Sequence, residues 1–276
     1  MSARQNIKNS PLGIELVRLL ASKGDRIFST ERARELAPHV GIKEDYLLEA
    51  LHHLRRGNWI IPLRRGLYAL SHTVPGVLPA HEFEIAMSLV DPAAISHWSA
   101  MSHHGLTEQL PRTVFVLTTA LSVPRLRRAG NDEKGCPVGD TRYHFMQVKP
   151  ERFFGIEDVW VNEARIKMTD PERTLLDGLM APRYCGDFPE VLHAFEVRTL
   201  KLDVERIVNY ALKLDAATAK RLGWILERQK IEPAKLDALR QVPIKGYRTL
   251  DPSGPRQGRC DTGWMIQENL PGLAPS

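Results

Sequence analysis

The residues of this chain whose types and spacing could do chemistry lie close together near its start. Lys43, Tyr46, Glu49, His52, His53, Arg55 and Arg56 recur between Lys43 and Gly57, and Arg64 and Arg65 follow in Pro62-Leu63-Arg64-Arg65-Gly66. Cationic side chains neutralise phosphate, and several of these groups can also meet base edges. Lys43 can reach guanine O6/N7 or a phosphate, Glu49 can accept from cytosine N4, and the imidazoles can donate to either kind of acceptor. Arg56, late on a helix, suits phosphate. Arg64 and Arg65 suit the minor groove or the backbone. The chemistry expected is recognition of double-stranded DNA. Two acids argue against it: Asp45 is accounted for by the helix dipole, and Glu49 repels phosphate unless it points at a base.

Other constellations are weaker. His97, His103 and His104 surround Trp98, but metal chemistry usually needs an i, i+4 pair with a further ligand, and His97 and His104 are seven residues apart. They motivate an alternative, a DNA-targeted, nuclease-like enzyme. Glu163-Ala-Arg-Ile-Lys167 lacks a convincing partner aspartate. No P-loop, no GxGxxG opening a helix and no GxSxG occurs. Cys136, Cys185 and Cys260 are spaced for neither a zinc pair nor a disulfide framework. The expectation is therefore no enzyme, no cofactor and no metal. A ligand-sensing regulator is a third possibility.

Elements must position the basic residues. Leu47, Ala50, Leu51 and Leu54 recur at helical spacing. Winding Lys43 to Gly57 at about 100° per residue turns Leu47, Leu51 and Leu54 inward. Asp45, Glu49, His52, His53 and Arg56 then face outward, with Lys43 and Tyr46 on the flanks. Gly57 and Asn58 end the helix. Trp59 to Ile61 and Leu67 to Leu70 read as strands, with Pro62 to Gly66 as the turn between them. Upstream, Pro11 to Lys23 reads as a helix burying Ile14, Val17, Leu20 and Ala21, and Ile27-Phe28 as a strand edge. Ser29 or Thr30 caps a second helix, Glu31 to Ala37, and Pro38 to Gly41 forms a turn. Helix, strand, helix, turn, helix and hairpin make a winged helix-turn-helix pattern. Residues 1–75 carry 12 Lys+Arg against 7 Asp+Glu, whereas residues 76–276 carry 26 of each. The net charge of +5 thus lies wholly in the candidate DNA-binding segment.

Ser71 to Pro79 reads as a connector, giving a winged helix-turn-helix domain over 1–75 and a larger α+β domain over 76–276 with a helical C-terminal part. Helices are expected at Ala80 to Val90 and around His97, with strands at Ala93–Ile95, Thr113–Leu117, Tyr143–Val148, Val159–Val161 and Ile166–Met168. Ser122 to Thr141, basic at Arg125, Arg127 and Arg128, reads as an exposed excursion. At Thr169-Asp170-Pro171-Glu172 a helix starts, with either Thr169 or Asp170 as its cap. Arg173 and Asp177 sit at i, i+4 and can pair with each other or meet a partner, a helix-surface ion pair being the usual explanation. Asp187–Val197 and most of 203–239 are helical in pattern. Residues 246–276 are dense in Gly and Pro, broken around Trp264. No apolar run approaches the ~18 residues of a membrane span and no signal-peptide core is present; the odd cysteine count fits a reducing compartment, so a cytoplasmic protein is expected.

Taken in order, RRGLYAL, AISHWSAMSHHGL with the strand TVFVLTT, MTDPERTLLDGL, LDPSGPRQG and GWMIQENL resemble the AbiEi family of antitoxins and transcriptional regulators of type IV toxin–antitoxin systems. The resemblance covers most of the chain. It implies an N-terminal winged helix that binds inverted repeats in the system's own promoter and represses it. It also implies a C-terminal domain that counters a cognate nucleotidyltransferase-like toxin. Lys43 to Arg65 would then carry repression, and residues from about 80 onward antitoxicity.

Overall fold

The helix carrying most of the basic residues is one of three that share a small core. In the computed structural model, which describes residues 11–71, 80–124, 136–139 and 141–270, α1 (Pro11–Ser22) buries Leu16, Val17 and Leu20. Ile14 and Ala21, expected on this face, are only half-buried. The helix is apolar on several sides, so its periodicity leaves its rotation open by about one residue. β1 (Ile27–Ser29) follows. In α2 (Thr30–Leu36) the cap is Ser29, whose hydroxyl accepts from the Arg32 amide at 3.1 Å. A turn of 3-10 helix ends at Gly41, where φ is +78°. α3 (Glu44–Arg56) then buries Leu47, Leu51 and Leu54, in one core with Leu16, Leu20, Phe28 and Leu36. Each such leucine contributes about 1.5–3 kcal/mol.

β2 (Ile60–Arg64) and β3 (Leu67–Leu70) join β1 in an antiparallel sheet of order β1-β3-β2. The turn expected over Pro62 to Gly66 is shorter than that. Pro62 to Arg64 belong to β2, because an edge strand tolerates a residue without an amide hydrogen. The register shifts between Pro62 and Arg64. Only Arg65 and Gly66 form the loop, and Gly66 has a φ of +74°, open to glycine at no steric cost. Arg64 therefore ends a strand and Arg65 occupies the turn.

α4 (Glu82–Leu89) buries Phe83, Ala86 and Leu89. Met87 is half-buried. β4 (Ala93–Ile95) leads into α5 (His97–His103), followed by β5 (Thr113–Thr118), β6 (Cys136–Val138), β7 (Thr141–Gln147), β8 (Ile156–Val161) and β9 (Ala164–Thr169). These strands form a mixed sheet of order β6-β7-β5-β4-β9-β8, with β4 antiparallel to β5 and parallel to β9. β6 lies inside the stretch expected as a loop. The basic residues of that stretch, Arg125, Arg127 and Arg128, lie outside the described residues, as does the expected connector beyond Ser71.

α6 (Pro171–Met180) is capped by Asp170, which accepts from the Arg173 amide at 2.7 Å with Pro171 at the first helical position. α7 (Asp187–Arg198), α8 (Val204–Leu212), α9 (Ala216–Arg228) and the short α10 (Asp237–Arg240) complete the helical part. Leu175, Leu179, Phe188, Phe195, Ile207 and Leu222 are central to its core. The described part of the Gly- and Pro-dense tail, up to Leu270, is more ordered than its composition implies. β10 (Arg248–Thr249), β11 (Arg259–Asp261) and β12 (Ile266–Glu268) form a sheet of order β10-β12-β11, and Trp264 and Ile266 are buried in the helical core.

The fold is α+β. Two compact units divide it: Met1–Asp91 with Ser122–Tyr143 and Trp160–Arg165, and Pro92–Leu121 with His144–Val159 and Ile166–Ser276. Among the described residues no helix is long and apolar enough to cross a membrane.

Candidate nucleic-acid interface

α3 presents most of the candidate residues. Lys43 is its N-cap, extended at φ −73° and ψ 150°, with an exposed side chain that makes no capping hydrogen bond. Tyr46, Glu49, His52, Arg55 and Arg56 are exposed, and His53 is half-buried. Glu49 Oε1 lies 3.6 Å from His53 Nε2 one turn on. Glu49 is thus drawn toward its own helix, an ion pair when His53 is protonated.

The candidate set divides between two sides of α3. On one side, a cleft of about 380 Å³ opens between α3 and the β2–β3 hairpin, with Leu48, His52, Arg55, Arg64, Arg65 and Tyr68 in its wall. Three guanidiniums and an imidazole thus converge from two elements on one concave surface. On the other side, a groove of about 310 Å³ is lined by Leu12, Ile42, Lys43, Tyr46, Glu49 and His53. Arg56 borders neither.

The hairpin is fixed to the helices from behind. The backbone carbonyl of Gly66 accepts from the Thr30 amide at 2.8 Å and from the Thr30 hydroxyl at 3.4 Å. The first residue of α2 therefore sets where the turn bearing Arg65 stands. In the sheet, Phe28 stacks on Tyr68 with ring centroids 5.7 Å apart, which adds to packing beyond area alone.

Ion pairing separates the cations of this unit into two kinds. Arg32 is held by Asp25 at 2.8 Å and Glu35 at 3.0 Å, and Arg34 by Glu44 at 3.1 Å. Arg26 meets Glu84 at 3.4 Å and Glu163 at 3.3 Å. Lys43, Arg55, Arg56, Arg64 and Arg65 form no ion pair among the described residues. An unpaired surface cation needs no internal bond broken before it meets a phosphate.

Sequence reasoning passes over Leu48. It is 66% exposed, close to the 61% of Tyr46. The signal is present in the helical wheel: Leu48 falls outside the stripe of Leu47, Leu51 and Leu54 and adjoins the side bearing His52.

Of the histidines that suggest a nuclease, His97 and His104 have internal roles, while His103 is exposed. His97, at φ +51°, is buried and its Nδ1 shares a hydrogen with the Ser96 hydroxyl at 2.9 Å. Burial pushes its pKa below the ordinary imidazole value. His104 Nε2 pairs with the Thr169 carbonyl at 2.8 Å. Glu163 is engaged by Arg26, and Lys167 lies 4.0 Å from Asp158. Among the described residues no three His, Cys, Asp or Glu side chains gather in a way that could hold a metal ion.

No protein-family model matches the sequence, and no curated protein matches it. Among solved structures, the crystal structure of the Rv2827c protein from Mycobacterium tuberculosis is similar, with a TM-score of 0.67 and 14% sequence identity. The match covers 92% of this chain and 90% of that one. Likeness at this identity is a likeness of fold.

Proposed function

We propose that residues 1–75 form a winged helix-turn-helix that reads double-stranded DNA, and that the chain is a transcriptional autorepressor. The observation that carries this reading is the convergence of Arg55, Arg64 and Arg65, none of them ion-paired among the described residues, on the cleft between α3 and the hairpin. In a winged helix the third helix enters the major groove while the wing meets the backbone or minor groove. The cleft that α3 and the Arg65-Gly66 loop share supports this reading. The net positive charge of residues 1–75 favours the same partner. The antitoxin role of residues 76–276, directed at a nucleotidyltransferase-like toxin, rests on the sequence resemblance to the AbiEi family.

Fluorescence anisotropy of the full-length protein on the DNA upstream of its own gene, across a salt series and against scrambled duplex, tests the first part. Sequence-dependent binding with a steep salt slope supports it, and binding indifferent to sequence overturns it. Growth rescue on co-expression with a nucleotidyltransferase-like protein encoded beside it tests the second.

The groove lined by Leu12, Ile42 and Tyr46 favours one other reading, a regulator that senses a small ligand, since about 310 Å³ is enough for one. An operator affinity that changes when a cell metabolite extract is added would support it.

A further inference from the structure

Leu48 is a leucine with no packing role in a place where solvent should have favoured a polar side chain. It stands in the N-terminal half of α3, 66% exposed, and lines the cleft that also holds His52, Arg55, Arg64 and Arg65. The leucines that hold α3 to the core are Leu47, Leu51 and Leu54, all nearly inaccessible. Exposed leucines elsewhere are common and need no explanation. This one is ringed by cations free to meet phosphate, on the half of the helix that approaches base edges in helix-turn-helix proteins.

Resting on the DNA-binding reading above, we propose that Leu48 is a specificity-determining residue that recognises the 5-methyl group of a thymine. Of the groups in the major groove, the thymine methyl is the one an aliphatic side chain can read. It lies at the groove edge near the backbone of its own strand. An apolar side chain flanked by arginines that grip that backbone is therefore well placed to meet it. The neighbours divide the work: Arg55, Arg64 and Arg65 supply affinity that is blind to sequence, and Leu48 supplies a preference that costs little salt dependence. His52, one turn on from Leu48 and in the same cleft, is placed to bond the adjacent base or phosphate.

The test begins with selection of preferred duplexes from a random pool by the full-length protein. Each invariant thymine is then replaced singly by deoxyuridine, which removes the methyl group and nothing else. Affinities are measured for the wild type and for Leu48→Ala. The exposed position makes this variant safe for folding, and its melting curve verifies that. The expected result is one thymine whose replacement weakens wild-type binding about fourfold, the worth of one buried methyl, and whose replacement Leu48→Ala does not feel. Leu48→Ala should retain the wild-type salt slope. Overturning the proposal takes selective binding in which every deoxyuridine penalty is the same for both proteins. Failure of the DNA-binding reading looks different: no sequence emerges from selection, which overturns both.

Discussion

Arg173 Nε lies 3.0 Å from Asp177 Oδ1, one turn apart on α6, and both side chains are about 1% exposed. Their spacing in the sequence is that of a surface ion pair, but here the pair is buried. The Arg173 guanidinium also donates to the carbonyls of Arg152 at 2.7 Å and Phe154 at 3.1 Å and stacks over the Phe154 ring at 4.6 Å. Asp170, at the cap of the same helix, accepts from the Tyr210 hydroxyl at 2.9 Å. Glu172 is met by Arg198 at 3.4 Å and Arg206 at 3.7 Å. One polar network therefore ties α6 to the segment before β8 and to α7 and α8.

Removing one partner of such a pair leaves the other charge buried and alone. Arg173→Ala should destabilise the protein by about 3–5 kcal/mol, read as a lowered urea midpoint. Replacing both partners by Met and Leu should not restore full stability, because the carbonyls of Arg152 and Phe154 would still lack a donor.

Gly223 on α9 lies against Trp264, and any side-chain carbon there would overlap the indole ring. Trp264 also donates through Nε1 to Glu227 at 2.8 Å. Gly223→Ala should cost at least about 1–3 kcal/mol by overpacking, and Trp264→Ala about 3–5 kcal/mol by leaving a cavity. The two changes together should cost less than their sum, which a double-mutant cycle in denaturant checks.

On the proposed DNA-binding reading, removing the hairpin cations should act on DNA binding and leave folding unchanged. Arg64→Ala with Arg65→Ala should keep the wild-type melting temperature, since neither side chain is in an ion pair among the described residues. It should flatten the slope of log affinity against log salt by about one for each phosphate that is no longer neutralised. An unchanged slope would remove the hairpin from the interface.

His97 makes stability depend on pH. Burial holds its folded pKa below the unfolded value; the Arg173 and His144 charges add to this and the Asp177 charge opposes it. As pH falls through the ordinary imidazole value, the unfolded chain takes up a proton that the folded chain refuses, so stability should fall below about pH 6.5. Asp170 acts in the opposite sense at lower pH, because burial raises its pKa and its protonation then favours the folded state. Urea midpoints between about pH 7.5 and 5.5 should decline for the wild type and stay flatter for His97→Gln. A parallel decline in both would assign the effect elsewhere.

How much of this is legible from sequence depends on whether the cause is local. The core stripe of α3 follows from helical periodicity alone, and Leu47, Leu51 and Leu54 are buried as that periodicity requires. The Asp170 cap with Pro171 after it, and the strands from Ala93 and Thr113, also follow from neighbours in the chain. The exposure of Lys43, Tyr46 and Glu49 on α3 has the same local origin.

Other features are decided by residues far away in the chain. Arg173 and Asp177 carry the same spacing whether water or Phe154 covers them, and only packing puts Phe154 there. Trp264 stands in a short segment that interrupts a Gly- and Pro-dense stretch, and it is buried because Gly223, about forty residues earlier, leaves room for its ring. His52 and Arg55 stand out in the sequence as members of one helix, whereas their meeting with Arg64, Arg65 and Leu48 in one cleft requires the hairpin to fold back beside α3. Periodicity fixes which way a side chain points from its own helix. What it then faces is fixed by long-range packing, which no local pattern encodes.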